Sequence, residues 1–208
     1  NMAILQFASP PFTFKNDHPT KSEMEALIDK SLDDGALGVK LLGGHYPLKP
    51  DVSSLLIKTA LERRAYVAWH AGTSEHGSNI EGMQEAVAMA DGYPLHLAHI
   101  NAYCRGAIKN ELEEVAIAID LLKKNPNIFC ESYISPKNGT RLTCDETGKI
   151  QSKVTGNCLR KFGFSEDRDG VKKAILAGKA FVVYDAGGYS DLMTGEEALK
   201  LWEDAGTN

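Results

Sequence analysis

Short apolar runs rich in β-branched and aromatic residues alternate along this chain with longer stretches whose apolar positions return every three or four residues. The first pattern predicts strands, in which side chains point alternately to opposite faces, and the second predicts helices with one buried stripe. Strands are expected at Ala3–Ala8, Ala36–Leu42, Ala65–His70, Pro94–His99, Asn127–Ser132 and Ala180–Asp185. The helices between them carry start signals. Thr20-Lys-Ser-Glu23, Ser78-Asn-Ile-Glu81 and Thr194-Gly-Glu-Glu197 each fit a capping box, in which two side chains satisfy each other's free backbone amides, and Pro50-Asp51 opens a further helix. Gly35, Gly92 and Gly178 stand where a left-handed residue closes a helix before the next strand. Alternation of this kind predicts an α/β fold on a parallel sheet, with residues 1–208 forming one domain.

One stretch breaks the rhythm. Residues 133–165 are polar and rich in turn signals (NGT, CDETGK, TGN), and they read as a loop insertion long for a connection inside a compact domain. In a parallel barrel such loops emerge at the C-terminal face of the sheet, so a substrate cover and simple mobility are both open readings.

Composition narrows the class. With 208 residues, 43% of them apolar and 25% charged, the chain can bury one core. The net charge is −5 and the cations are scattered, so no basic face is available to displace counterions from a nucleic-acid backbone. Apolar runs such as that in EEVAIAIDLLKK are cut by charges far short of the ~20 residues a membrane span needs, and the first residues lack a signal-peptide pattern. Neither nucleic acid nor a membrane is therefore an expected partner, and a cytoplasmic address is the default. Cys104, Cys130, Cys144 and Cys158 form no CxxC pair and read as free thiols.

Against this background three residues stand out. Lys40, His70 and His99 each lie near the C-terminal end of a predicted strand, and Asp185 holds the same place on a later one. Pleat alternation puts Lys40 on a face with Gly38 and Ala36, opposite Leu37, Val39 and Leu41, and puts His70 with Ala68 and Tyr66, opposite Val67 and Trp69. Asp185 shares its face with Val183 and Phe181, so the candidates can meet in one interior. His96 has the opposite parity to His99 and reads as a histidine hydrogen-bonded near the helix layer. Two histidines and an aspartate stay unprotonated at neutral pH and can hold a divalent ion with a water position open. An ordinary lysine cannot, because its ammonium has no lone pair. It must either become a carbamate by reaction with carbon dioxide or serve as a cation at the edge of the core. A lone histidine on a strand is more often structural than a ligand, and the case for chemistry rests on the set.

The order Lys40, His70, His99, Asp185 resembles strands four, five, six and eight of the amidohydrolase superfamily, the metal-dependent (β/α)8 hydrolases that include dihydroorotases, hydantoinases and D-aminoacylases. Lys40-Leu-Leu-Gly-Gly-His-Tyr-Pro47 is similar to the dihydroorotase segment around the carboxylated lysine. Gly35-Ala-Leu-Gly38 with Tyr46-Pro47 is similar to a pattern of N-acyl-D-amino-acid deacylases, and AILAGKAFVVYDAGG to the hydantoinase run through the strand-eight aspartate. The resemblance extends from about Ala3 to Trp202 and implies a partial TIM-type (β/α)8 barrel, strands three to eight with their helices. It implies a divalent metal cofactor, zinc first among candidates, with one or two ions bridged by Lys40 as its carbamate and held by His70 and His99. Asp185 would be a metal ligand and the catalytic acid-base, taking the proton of the attacking water and passing it to the departing nitrogen of a small-molecule amide. Arg105 could hold a substrate carboxylate, or be a solvated arginine at a helix start. His45, Tyr46 and the pair Glu75-His76 could line the pocket, or be ordinary loop residues.

The chain also departs from that family. It has no His-x-His pair of the kind that ends strand one there, and it lacks a pattern for strands one and two; a full barrel takes ~250 residues. An open arc exposes apolar edges, so a homo-oligomer or swapped assembly is expected. Two other functions remain open: a catalytically inactive remnant that serves as a structural or partner-binding module, and a lyase using Lys40 as a Schiff base.

Overall fold

The computed structural model describes residues 3–10, 12–132, 142–178 and 195–204, and Asp185 with its predicted strand lies outside them. The chain divides into two compact units, Asn1–Ile134 and Ser135–Asn208. In the first, β1 (Leu5–Phe7), α1 (Lys21–Asp33), β2 (Gly38–Leu42), α2 (Pro50–Glu62), β3 (Tyr66–His70), α3 (Ile80–Ala90), β4 (Leu95–Leu97), α4 (Glu111–Lys124) and β5 (Ile128–Cys130) follow one another, with a 3-10 turn at Ile100–Tyr103 after β4. The strands form one all-parallel sheet in the order β1-β2-β3-β4-β5.

All five described strands fall inside the runs expected from the pattern. Alternation then sorts their side chains. Val39, Leu41, Val67, Trp69, Leu95, Leu97 and Ile128 point into a core shared with Met24 and Ile28 of α1, Leu56 and Ile57 of α2, Met83 and Val87 of α3 and Ala118 of α4. These four helices therefore cover one face of the sheet. Across the other face runs the row Phe7, Lys40, Ala68, His96, Phe129. Phe7 and Phe129 at its ends are 45% and 58% exposed, unusual for a parallel sheet, which normally has both faces covered.

The helix starts follow from their caps. Thr20 and Glu23 make the reciprocal capping box at α1, and Pro50 opens α2, where its missing N–H costs nothing. At α3 the cap is Asn79, whose side chain accepts from Gly82, and not Ser78. The serine hydroxyl is engaged elsewhere, as described below.

The second unit contains α5 (Lys153–Lys161), α6 (Arg168–Leu176) and α7 (Gly195–Asp204). The stretch 133–165, expected to be one long loop, thus holds a helix, capped by the Ser152 hydroxyl on the Thr155 amide. Its polar composition conceals the apolar side chains that do pack: Leu142, Ile150 and Leu159 join Val171, Ala174 and Ile175 in a separate small core. The CDETGK turn closes on Asp145, which accepts from the amides of Thr147 and Lys149. Thr194, the predicted cap of α7, lies outside the described residues.

Candidate functional site

The loops after β2, β3 and β4 gather the sequence candidates of the first unit at the C-terminal ends of the strands. Two of these loops touch through glycine backbones: a Cβ on Gly43 would lie 1.9 Å from the carbonyl oxygen of Gly72. Only because both positions lack side chains can the chain turn at Gly43-Gly44 and lay the His45 ring 5.3 Å from that of His70.

His70 ends β3 opposite Leu42 of β2 and is 5% exposed. Its Nδ1 stands 2.6 Å from His99 Nε2, and its Nε2 2.7 Å from the Ser78 hydroxyl. His99 reaches this point by leaving the strand geometry. Its φ of 39° is left-handed, so pleat alternation ends before it and the ring swings to the side that His70 occupies. The same bend corrects the expectation for His96. Paired with Ala68, it lies in the row with Lys40 on the face away from the helices, where its Nδ1 meets the Tyr66 hydroxyl at 2.9 Å and its Nε2 meets Glu131 at 3.0 Å. Parity counted back from a residue outside the strand assigned it to the wrong face.

Tyr103 secures the two strand ends. Fully buried, its hydroxyl accepts from the Ala71 amide at 2.9 Å and donates to the Ala98 carbonyl at 2.7 Å, just beyond β3 and within one residue of β4. Burial pushes its phenol well above the ordinary value, so it is a permanent neutral donor. Glu131, immediately after β5, places Oε1 3.6 Å from His99 Nδ1. Burial works against its charge, but hydrogen bonds from the His99 amide and the His96 ring prevail, and its carboxyl lies below the usual range.

The electrostatics of the cluster favour neutral imidazoles. Burial, reinforced by His99, His45, Arg105 and Lys40, pushes His70 down to about 2. Burial and the Lys40 charge lower His99 against the pull of Glu131, and burial, the nearby His99 ring and the charges of Arg105 and Lys40 lower His45. Lys40, half-buried mid-strand, and Arg105 therefore both act on the imidazoles electrostatically. Arg105 owes its place to a loop organised by Glu114, a wholly buried carboxylate that accepts from the amides of Gly106, Ile108 and Lys109 at 2.7, 2.8 and 3.0 Å. Tyr46 turns toward Phe12 instead, ring centroids 5.0 Å apart, and its buried hydroxyl has no hydrogen-bond partner among the described residues. His76 pairs with Glu85 at 3.1 Å, and Thr73 accepts from the Glu75 and His76 amides, which makes this pair part of a loop scaffold.

Among the described residues no three His, Cys, Asp or Glu side chains are arranged to hold a metal ion. Two donors do converge. His70 Nδ1 and His99 Nε2 face each other as neutral rings, the ligand form of histidine. Two nitrogens on one tetrahedral zinc at 2.0–2.1 Å would be roughly 3.3 Å apart, so the rings need to part by roughly 0.7 Å. The donor chemistry of these two rings fits a divalent ion at this point.

The chain matches no protein-family model, no curated protein and no solved structure. Among the described residues no helix is long and apolar enough to cross a membrane.

Proposed function

We propose that the chain is the strand-three-to-eight part of a barrel of the amidohydrolase kind, and that its strand ends form one half of a metal site that hydrolyses the C–N bond of a small amide, N-acyl amino acid or cyclic amide. The observation that carries this reading is the facing pair His70 Nδ1 and His99 Nε2 at the ends of adjacent parallel strands, with Lys40 on the next strand. Support comes also from the topology. Strands in sequence order with the four helices on one face are the arrangement of a barrel arc; a doubly wound sheet would reverse its order and place helices on both faces.

In this reading His70, His99 and the Lys40 carbamate would hold one or two divalent ions, zinc first among them. A bound ion supplies an activated water and polarises the amide carbonyl. The protein supplies the rest. Burial and the Arg105 charge keep both imidazoles neutral, Tyr103 fixes the strand ends that carry them, and the same guanidinium offers its fork to a substrate carboxylate. The resemblance assigns Asp185, which lies outside the described residues, the role of taking a proton from water and passing it to the leaving nitrogen.

A second reading is a remnant that binds a partner without chemistry. Zinc titration followed by calorimetry, on wild type, His70→Ala and His99→Ala, separates the two. The hydrolase reading expects zinc binding that both variants abolish, with turnover in a panel of N-acyl-D-amino acids and cyclic amides. A wild-type chain that takes up no zinc would leave the remnant.

A further inference from the structure

We propose that Glu131 is a positioning residue that fixes opposite ring tautomers on His96 and His99, Nε2–H on the first and Nδ1–H on the second, so that the lone pair of His99 Nε2 is aimed at His70. The value of that aim for a metal rests on the reading above; the tautomers themselves do not.

An ionised carboxylate only accepts hydrogen bonds. Glu131 Oε2 lies 3.0 Å from His96 Nε2, which must therefore carry the proton, and His96 Nδ1 accepts from the Tyr66 hydroxyl at 2.9 Å. The other oxygen faces His99 Nδ1 at 3.6 Å, long for a hydrogen bond yet close enough for the carboxylate's field to favour N–H over a lone pair. Glu131 cannot drift from this position easily. Its carboxylate also accepts from the His99 amide, and its carbonyl accepts from the Ile100 amide at 2.8 Å, which staples the end of β5 to the turn after β4.

Once His99 carries its proton on Nδ1, the directions of the remaining bonds follow. The 2.6 Å gap between His99 Nε2 and His70 Nδ1 holds one proton, and it belongs to His70. His70 Nε2 then accepts from the Ser78 hydroxyl at 2.7 Å. Hydrogen bonds from Ser78 through His70 to His99, and from Tyr66 through His96 to Glu131, all point toward one carboxylate across the ends of β3, β4 and β5. To accept a divalent ion, His70 must move its proton from Nδ1 to Nε2 while the Ser78 hydroxyl turns to accept, and the two rings must part by roughly 0.7 Å. His99 is already arranged, held in the way that a carboxylate holds the outer nitrogen of a ligating histidine.

The test reads ring tautomers by long-range 1H–15N correlation of the metal-free, isotope-labelled chain at pH 8. Wild type should show His99 as Nδ1–H and His96 as Nε2–H. In Glu131→Leu, His99 should pass to the Nε2–H form that imidazole prefers in water, and zinc affinity should fall about 10–100-fold. His70→Ala should leave His99 as Nδ1–H, and this variant decides the matter if Glu131→Leu does not fold. The proposal is overturned by Nε2–H on His99 in wild type, by an unchanged His99 in folded Glu131→Leu, or by a switch in His70→Ala. Wild-type tautomers as stated without any zinc affinity would overturn the hydrolase reading and support the role of Glu131.

Discussion

Replacing Glu114 should unfasten one loop and leave the sheet intact. The carboxylate is fully buried and receives the amides of Gly106, Ile108 and Lys109, Oε2 serving the first and Oε1 the other two. Hydrogen bonds to a charged group contribute about 1.5–3 kcal/mol each, but residues 106–109 are exposed and water replaces much of what is lost. About 1 kcal/mol per bond is left, so Glu114→Ala should cost about 3 kcal/mol in urea unfolding. Glu114→Gln keeps one acceptor oxygen and turns an NH2 toward the Gly106 amide; losing one bond of three, it should cost about 1 kcal/mol. The pH dependence has a definite sign. Burial alone would raise this carboxyl, but the amides outweigh it and its folded pKa lies below the ordinary 4.5. The unfolded chain therefore takes up the proton first as the solution is acidified, and the contribution of Glu114, complete above that ordinary value, fades below it. Amide exchange localises the effect: protection at Gly106, Ile108 and Lys109 should fall in Glu114→Ala while that of Val67 and Leu97 persists. Unchanged protection at the three amides, or a loss of stability under about 0.5 kcal/mol, would refute the argument.

Three further outcomes follow from the same geometry. Tyr103→Phe leaves the Ala71 amide and Ala98 carbonyl without their shared partner in a dry place, and should cost about 2 kcal/mol by denaturant unfolding. Gly43→Ala drives a methyl into the Gly72 carbonyl and should lower stability by at least about 2 kcal/mol in the same measurement, a larger loss than Gly35→Ala, whose added methyl meets no atom within 4 Å. Lys40→Met removes a cation that disfavours protonated imidazole, so the pKa of His99 followed by NMR should rise; an unchanged or lower value would mean that the lysine charge does not reach the ring.

The strands were legible because β-branched and aromatic runs bounded by glycines leave few alternatives, and the caps at Thr20 and Pro50 act within four residues of their targets. What was not legible depends on long-range or unusual backbone geometry. Ser78 and Asn79 are both good caps on paper, and tertiary contact with His70 decides which one is used. His96 was misplaced because nothing in PLHLAHI announces that the backbone turns left-handed at His99. Glu131 and Tyr103 were missed although each had a weak signal. Glu131 stands just past β5 as His99 stands just past β4, and Tyr103 is a tyrosine in a segment apolar enough to be buried. Glu114, one of three acids in the first turn of α4, could not be told from its solvated neighbours, since only the fold shows which of them bends back under the preceding loop. Within 133–165, turn residues outnumber the few apolar positions that fold α5.

The left-handed backbone at His99 bears on how this site can be altered. A pleated strand offers only every second residue to a given side, which halves the positions from which a sheet can recruit chemistry. By stepping out of the pleat just past β4, the chain brings an odd-numbered side chain to the side served by even-numbered ones, so His96 and His99 serve a single cluster from one short segment. The choice of substitute at 99 then matters apart from the ring that is lost. Asparagine tolerates this backbone region and would delete the imidazole alone, whereas valine or isoleucine would also oppose the bend and tend to return the residue to the strand, removing the ring and the geometry together.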